Sequence, residues 1–499
     1  MGTFQRQAES KDVYSIYIGQ LESYAAYQII KTEGKNCFYA AINYCKSTLP
    51  MLYDLEQAGP LRNHMWKNHG AVFGGWISSR CVPGNYIFLG KMNLIINKIS
   101  DIYEGEEWPQ GGEYLAVKEW EEIPEESRKV YKAYINSHEQ VLIGGRNGKY
   151  FPKRQEQITE ELLKAAGNIE KLDEFPCLSK VELTDITDSL RLYLSGRPMV
   201  QTAVFTKMNQ SVLDLSQTYL TDLTIYASGL QKLILNDNVR VLRLSGKIET
   251  DFHIHMENEG RWLHLEYKKA QEEASDFGLK DLRSLYITFH QIDIRKLRES
   301  FPKLKSLYLL GEPGRAEHME AVGEWADLER LILEDVFGFG ESELSALLKL
   351  KKLSIINAES ISKEAGAYLK KIFEKRVDFF SVKKLRGAEW LQENIDNPFR
   401  HWDGSKFVPQ EAYKKALAAY RKLKKIWTLG NRQEILQGVR EYGKILNKLN
   451  RNYDYFIEST ERDDIFAAMK GIAVKSEHAE GGDMYVEAEK ILEDIREEW

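Results

Sequence analysis

The 499-residue sequence predicts an α/β repeat solenoid (151–385), flanked by a β-rich N-terminal domain (1–150) and an α-helical C-terminal domain (386–499). Three observations carry this. An apolar motif recurs at a nearly fixed period in the middle third, short alternating runs broken by Gly, Asn and Pro precede it, and long amphipathic stripes follow it. A chain of this length is expected to form about three domains, each large enough to bury a core. Apolar residues make up 43% and charged residues 29%, the balance of a folded chain and not of a disordered one.

The repeat reads Leu282-Arg-Ser-Leu285-Tyr-Ile287, Leu304-Lys-Ser-Leu307-Tyr-Leu309, Leu328-Glu-Arg-Leu331-Ile-Leu333 and Leu350-Lys-Lys-Leu353-Ser-Ile355, at steps of 22, 24 and 22 residues. Each step fits a strand, a turn, a short helix such as 294–300 or 341–348, and a return. The pattern resembles the leucine-rich repeat family, which implies strands stacked on one face and helices on the other. Upstream, apolar-x-apolar triplets fall only nine to eleven residues apart, too close for one coil each. Alternate triplets are therefore assigned to opposite faces. Val181, Val204, Leu223, Leu242 and Leu263 continue into Leu285, Leu307, Leu331 and Leu353, while Leu192, Leu213, Leu233 and Phe252 begin strands on the far side. The polar Asn that usually follows the strand in this family is clear only at Asn238.

In the first domain, strands are predicted at 13–18, 24–30, 37–43 and 71–77, a helix at 125–136, and a connecting loop at 144–149. Asp12-Val-Tyr14-Ser-Ile16-Tyr-Ile18 followed by Tyr24-Ala-Ala-Tyr27-Gln-Ile-Ile30 resembles immunity proteins of bacterial polymorphic toxin systems. In the third, an apolar stripe with lysines opposite runs through 411–427, and similar apolar stripes run through 435–449 and 486–495. The stretch Asn397-Pro-Phe-Arg-His-Trp402-Asp403, with Phe456-Ile-Glu-Ser-Thr-Glu-Arg462, is similar to tails of bacterial leucine-rich repeat proteins. Ser459 or Thr460 is expected to cap a helix whose first turn holds Glu461, Asp463 and Asp464.

Charge and motifs narrow the function classes. Sixty-nine Lys and Arg stand against 75 Asp and Glu, a net of −6, and no domain is basic overall, so a nucleic-acid partner is not expected. The start of the chain lacks the apolar stretch of a secretory signal. No run reaches the roughly 20 apolar residues of a membrane span, the stretch 92–99 being broken by Asn93, Asn97 and Lys98. A cytoplasmic location with no membrane partner is the expectation. Cys37, Cys45, Cys81 and Cys177 form no C-x-x-C pair and read as buried free thiols.

Catalytic constellations fail on residue identity. Gly144 to Lys149 is one residue short of a phosphate loop and is followed by Tyr150. His253, His255 and Glu257 share a strand parity suited to zinc, but the same alternation describes an exposed strand face. An enzymatic alternative places a site around His64, Trp66, His69 and Arg80, with the repeats selecting substrate. The primary expectation has no catalytic set, metal or cofactor. It is protein binding through the residues that alternation turns outward from the repeat strands, namely Phe205, Tyr226, Arg243, Trp262, His264, Glu266, Tyr286, Tyr308 and Glu334. The resemblance of the first domain implies an immunity-type inhibitor whose partner is a toxin domain.

Overall fold

A computed structural model describes residues 6–96, 104–105, 107–144, 148–268, 276–387, 390, 394, 397–475, 481–497 and 499. Parts of two expected features, 97–99 of the apolar stretch and 145–147 of the connecting loop, lie outside the described residues. The chain divides into two compact units, 1–385 and 386–499.

The first unit opens with a six-stranded sheet. Its order is Ile87–Lys91, Asp12–Ile18, Ser23–Glu33, Asn36–Lys46, Gly74–Ile77 and Glu104–Gly105. Pairing is antiparallel except between the last two strands. Alternation places Tyr14, Ile16, Tyr27 and Ile29 in a core with Tyr86, Trp108 and Tyr114. The Tyr114 hydroxyl donates to the carbonyls of Ala26 (2.6 Å) and Ile42 (2.7 Å), fixing the helix Gly112–Glu122 against the sheet.

From Gln157 to Lys383 the unit contains an eleven-stranded sheet in which every strand pairs in parallel with the next. One row of core residues runs in register through Ile158, Val181, Ala203, Leu223, Leu242, Leu265, Leu285, Leu307, Leu331, Ile356 and Phe380. Helices, 3-10 turns and a second, three-stranded parallel sheet (Val212–Asp214, Lys232–Ile234, His253–His255) return the chain behind it. A single continuous apolar core from Ile143 to Val377 lies between the two layers. The central strands Asp222–Tyr226, Val241–Ser245 and His264–Lys268 alternate buried with half-buried side chains, as expected when one face packs on a core and the other does not.

The register corrects several expected positions. Ala203 fills the place assigned to Val204, Leu265 that of Leu263, and Ile356 that of Leu353. On the far layer Leu213 and Leu233 pair as expected, but Ile254 replaces Phe252. Leu192 is 74% exposed on the helix Asp188–Ser195 and begins no strand.

The second unit is helical: Gln410–Leu429, Arg432–Asn452, Ser459–Lys475 and Gly481–Ile495. Its own core gathers Trp402, Trp427, Val439, Tyr442, Leu446, Met469 and Leu492. The stretch Asn397 to Asp403 forms a turn held by a polar network. Asn397 Nδ2 donates to Asn394 Oδ1 (2.7 Å) and Tyr413 Oη (2.9 Å), and Asp403 accepts from Arg386, Trp390 and Gln410. Burial works against the Asp403 charge, but these donors outweigh it and hold its carboxyl below the usual range. The helix Ser459–Lys475 begins at Ser459 itself, so neither Ser459 nor Thr460 is the preceding cap; Glu461 accepts the Glu458 N–H instead (3.2 Å). Asp464 accepts from Trp402 Nε1 at 2.9 Å, a packing role for a residue of the expected carboxylate cluster.

Candidate functional site

The candidate site is the outward face of the eleven-stranded sheet. A parallel register lines up equivalent positions on neighbouring strands about 4.8 Å apart, so a row of side chains forms a continuous surface. The middle row runs Val204, Thr224, Arg243, Glu266, Tyr286, Tyr308, Ile332. Arg243 bridges carboxylates on both neighbouring strands, at 2.7 Å to Asp222 and 3.1 Å to Glu266. Next comes an aromatic pair, Tyr286 and Tyr308, with ring centroids 6.0 Å apart. The His264 ring lies 5.8 Å from Tyr308 and 6.5 Å from Tyr286, and its Nδ1 is 2.8 Å from Ser284 Oγ.

The electrostatics follow from half-burial. Burial lowers the His264 imidazole below its ordinary value, with Glu266 pulling the other way and Arg243 adding to the fall. Burial raises the Tyr286 phenol, and the nearby carboxylates of Glu266 and Glu334 push in the same direction. Both rings are therefore neutral at pH 7 and present apolar surface with a hydrogen-bonding tip, the combination favoured at interface anchors.

Of the expected face residues, the structure brings Arg243, His264, Glu266, Tyr286 and Tyr308 together. Tyr226 lies on the same face, 38% exposed at the end of its strand. Glu334 is half-buried on the strand Arg330–Phe337. Phe205 is a correction: it is 1% exposed and paired beside the core residue Ile225, so it points inward. Trp262 stands in the turn before its strand, where its ring lies against Gly19 and beneath the Arg283 guanidinium, 4.9 Å from the ring centroid.

Residues missed by the motif reading fasten the N-terminal region to one margin of this face. Arg330, the first residue of its strand, makes a two-pronged contact with Glu107 at 3.0 and 2.6 Å. Burial opposes the Arg330 charge, and Tyr308 and Glu107 more than offset it. Arg240 bonds Glu119 at 3.1 Å, and Tyr131 Oη lies 3.3 Å from Glu156. Met65, Trp120, Tyr131 and Ile135 pack with Cys177 and Met199 in a small shared core. A guanidinium facing a carboxylate hundreds of residues away leaves no local pattern.

In the alternative enzymatic set, Trp66 packs at a tilt on Trp120 (5.0 Å) and edge-on to Tyr131 (5.5 Å), the His64 ring lies against Gly70, His69 is exposed, and Arg80 Nε donates to the Ala8 carbonyl at 2.8 Å. His253 and His255 are exposed on the outer strand of the small sheet, and no group of three or more His, Cys, Asp or Glu suited to a metal occurs among the described residues. Two of the four thiols depart from the expected burial: Cys45 is exposed and Cys81 half-buried. Burial pushes Cys37 up to about 12 and Cys177 up to about 11. No described helix is long and apolar enough to cross a membrane.

No protein-family model matches this chain, and no curated protein matches it.

Proposed function

We propose that the chain is a non-enzymatic binding protein. In this reading residues 151–385 form a leucine-rich repeat solenoid whose strand face docks a partner protein, and the N-terminal region adds to that surface. The observation that carries it is the in-register row Arg243, Glu266, Tyr286 and Tyr308 with His264 beside it, a rigid aromatic and charged strip on adjacent strands. Rigid aromatic anchors with charged neighbours supply binding energy at low entropic cost. The hairpin of Asp12–Ile18 and Ser23–Glu33 contains the stretch that resembles immunity proteins, which supports an inhibitor of a toxin domain, acting in the cytoplasm.

The test is co-purification from the native cell. Tyr286→Ala with Tyr308→Ala is expected to lower recovery of a specific partner at least tenfold while the melting temperature is retained. An unchanged set of captured partners contradicts the reading.

A further inference from the structure

The net charge of −6 conceals a strongly basic helical hairpin. Residues 410–452 hold eleven Lys and Arg against three Glu, a net of +8; residues 453–499 hold five against fourteen, a net of −9. The two cancel in any sum over the domain.

The basic residues are arranged on the helices. In Arg432–Asn452 the core side consists of Ile435, Val439, Tyr442, Leu446 and Leu449. Directly opposite, Arg440, Lys444 and Lys448 are exposed at four-residue spacing, a step of about 6 Å along the axis. On Gln410–Leu429, Arg421 and Lys425 are exposed, and the 2.9 Å contact of Lys422 Nζ with Glu441 sets the outer faces of the two helices side by side. Arg421, Lys425, Arg440, Lys444 and Lys448 make no ion pair with a described residue. Like charges brought this close repel, and an extended polyanion relieves that repulsion.

The remaining chemistry of the face selects among polyanions. Leu429 is the only exposed large apolar side chain between 410 and 452. A helix lying in a membrane surface needs a broad apolar face to bury, a protein interface needs apolar or aromatic anchors, and a single strand needs rings on which bases stack. A duplex backbone needs cations and hydrogen-bond donors alone, and exposed Gln433 and Gln437 add donors to the same stripe. A helix of 20 residues is about 30 Å long, close to one duplex turn of about 34 Å. We propose that this hairpin binds the phosphate backbone of double-stranded nucleic acid without reading its sequence. The proposal is independent of the strand face.

Fluorescence anisotropy of a labelled 20-base-pair DNA duplex, titrated with the full chain from 50 to 200 mM salt, tests it. Binding is expected at roughly 1–100 µM at low salt, weakening about a hundredfold or more across the range. Replacing Arg440, Lys444 and Lys448 by Gln should weaken binding at least tenfold and flatten the log–log salt slope by about 2.7, three contacts at about 0.9 each. Substituting Lys349, Lys351 and Lys375 by Gln should change neither. Both triple variants are checked for retained fold by circular dichroism. Absence of duplex binding at 50 mM salt, equal loss in both triple variants, or tighter binding to phosphatidylglycerol vesicles or polyglutamate each overturns the proposal.

Discussion

Phe205 and Tyr226 sit at the ends of adjacent strands and point in opposite directions, one into the core and one to solvent. The cause is a single alanine. In Thr202-Ala-Val-Phe205 the core positions are Ala203 and Phe205, and a small side chain in a leucine slot gives no sign of its role. Reading Val204 as the core residue shifts the parity by one and turns every side chain of that strand over. Where both core slots hold large aliphatic groups, as at Leu285 and Ile287, the outward residue Tyr286 was legible directly.

His264 yields a prediction at this scale. Burial lowers its folded-state value, so as pH falls below about 6.5 the unfolded chain takes up a proton before the folded one does. Stability is therefore full above that pH and declines with acidification through the window down to the lowered folded value. In urea unfolding between pH 7.5 and 5.0, His264→Gln is expected to lose less stability than the parent chain. An identical decline in both would contradict the assigned environment.

Elements were more legible than their registers. Regular apolar spacing locates the strands from Ser284 onward and the long helices of the second unit, because each buries one face against a large core. The last motif misleads. Leu350 and Leu353 are buried in the approach to the strand Ile355–Glu359, and Ile356 takes the register position opposite Leu331.

Between successive repeats, a side chain adds to backbone pairing. Asn236 Nδ2 donates to the carbonyls of Thr218 (3.1 Å) and Leu220 (3.3 Å), 18 and 16 residues earlier, and its Oδ1 accepts the Asn238 N–H (2.8 Å). The polar residue expected at Asn238 thus acts from Asn236; both stand in one Asn-Asp-Asn triplet, and spacing alone did not choose between them. Asn236→Ala should destabilise the first unit by about 1–3 kcal/mol in urea unfolding, and Asn238→Ala by less than about 0.5 kcal/mol.

At the scale of the whole molecule, the N-terminal region and the parallel sheet share one compact unit, 1–385, in which the N-terminal region is fastened to the margin of that sheet. Arg330 with Glu107, Arg240 with Glu119, and the Trp120–Tyr131–Cys177 packing make that fastening. All are partly or wholly shielded from water, where a charge pair is screened less than on an open surface. A double-mutant cycle of Arg330→Ala and Glu107→Ala is expected to give a coupling of about 1–2 kcal/mol in thermal or urea unfolding, and additive effects would deny the contact. A fragment of residues 175–380 is expected to aggregate, since Cys177 and Met199 lose their cover.

The claim that the strand face receives a protein partner is tested most directly by photo-crosslinking in the native cell. p-Benzoylphenylalanine in place of Tyr286, on the strand face, is compared with the same group in place of Leu192, which is 74% exposed on a helix behind the sheet. A discrete, light-dependent adduct with another protein is expected from position 286 and none from 192. Adducts from both positions alike, or from neither, would contradict it.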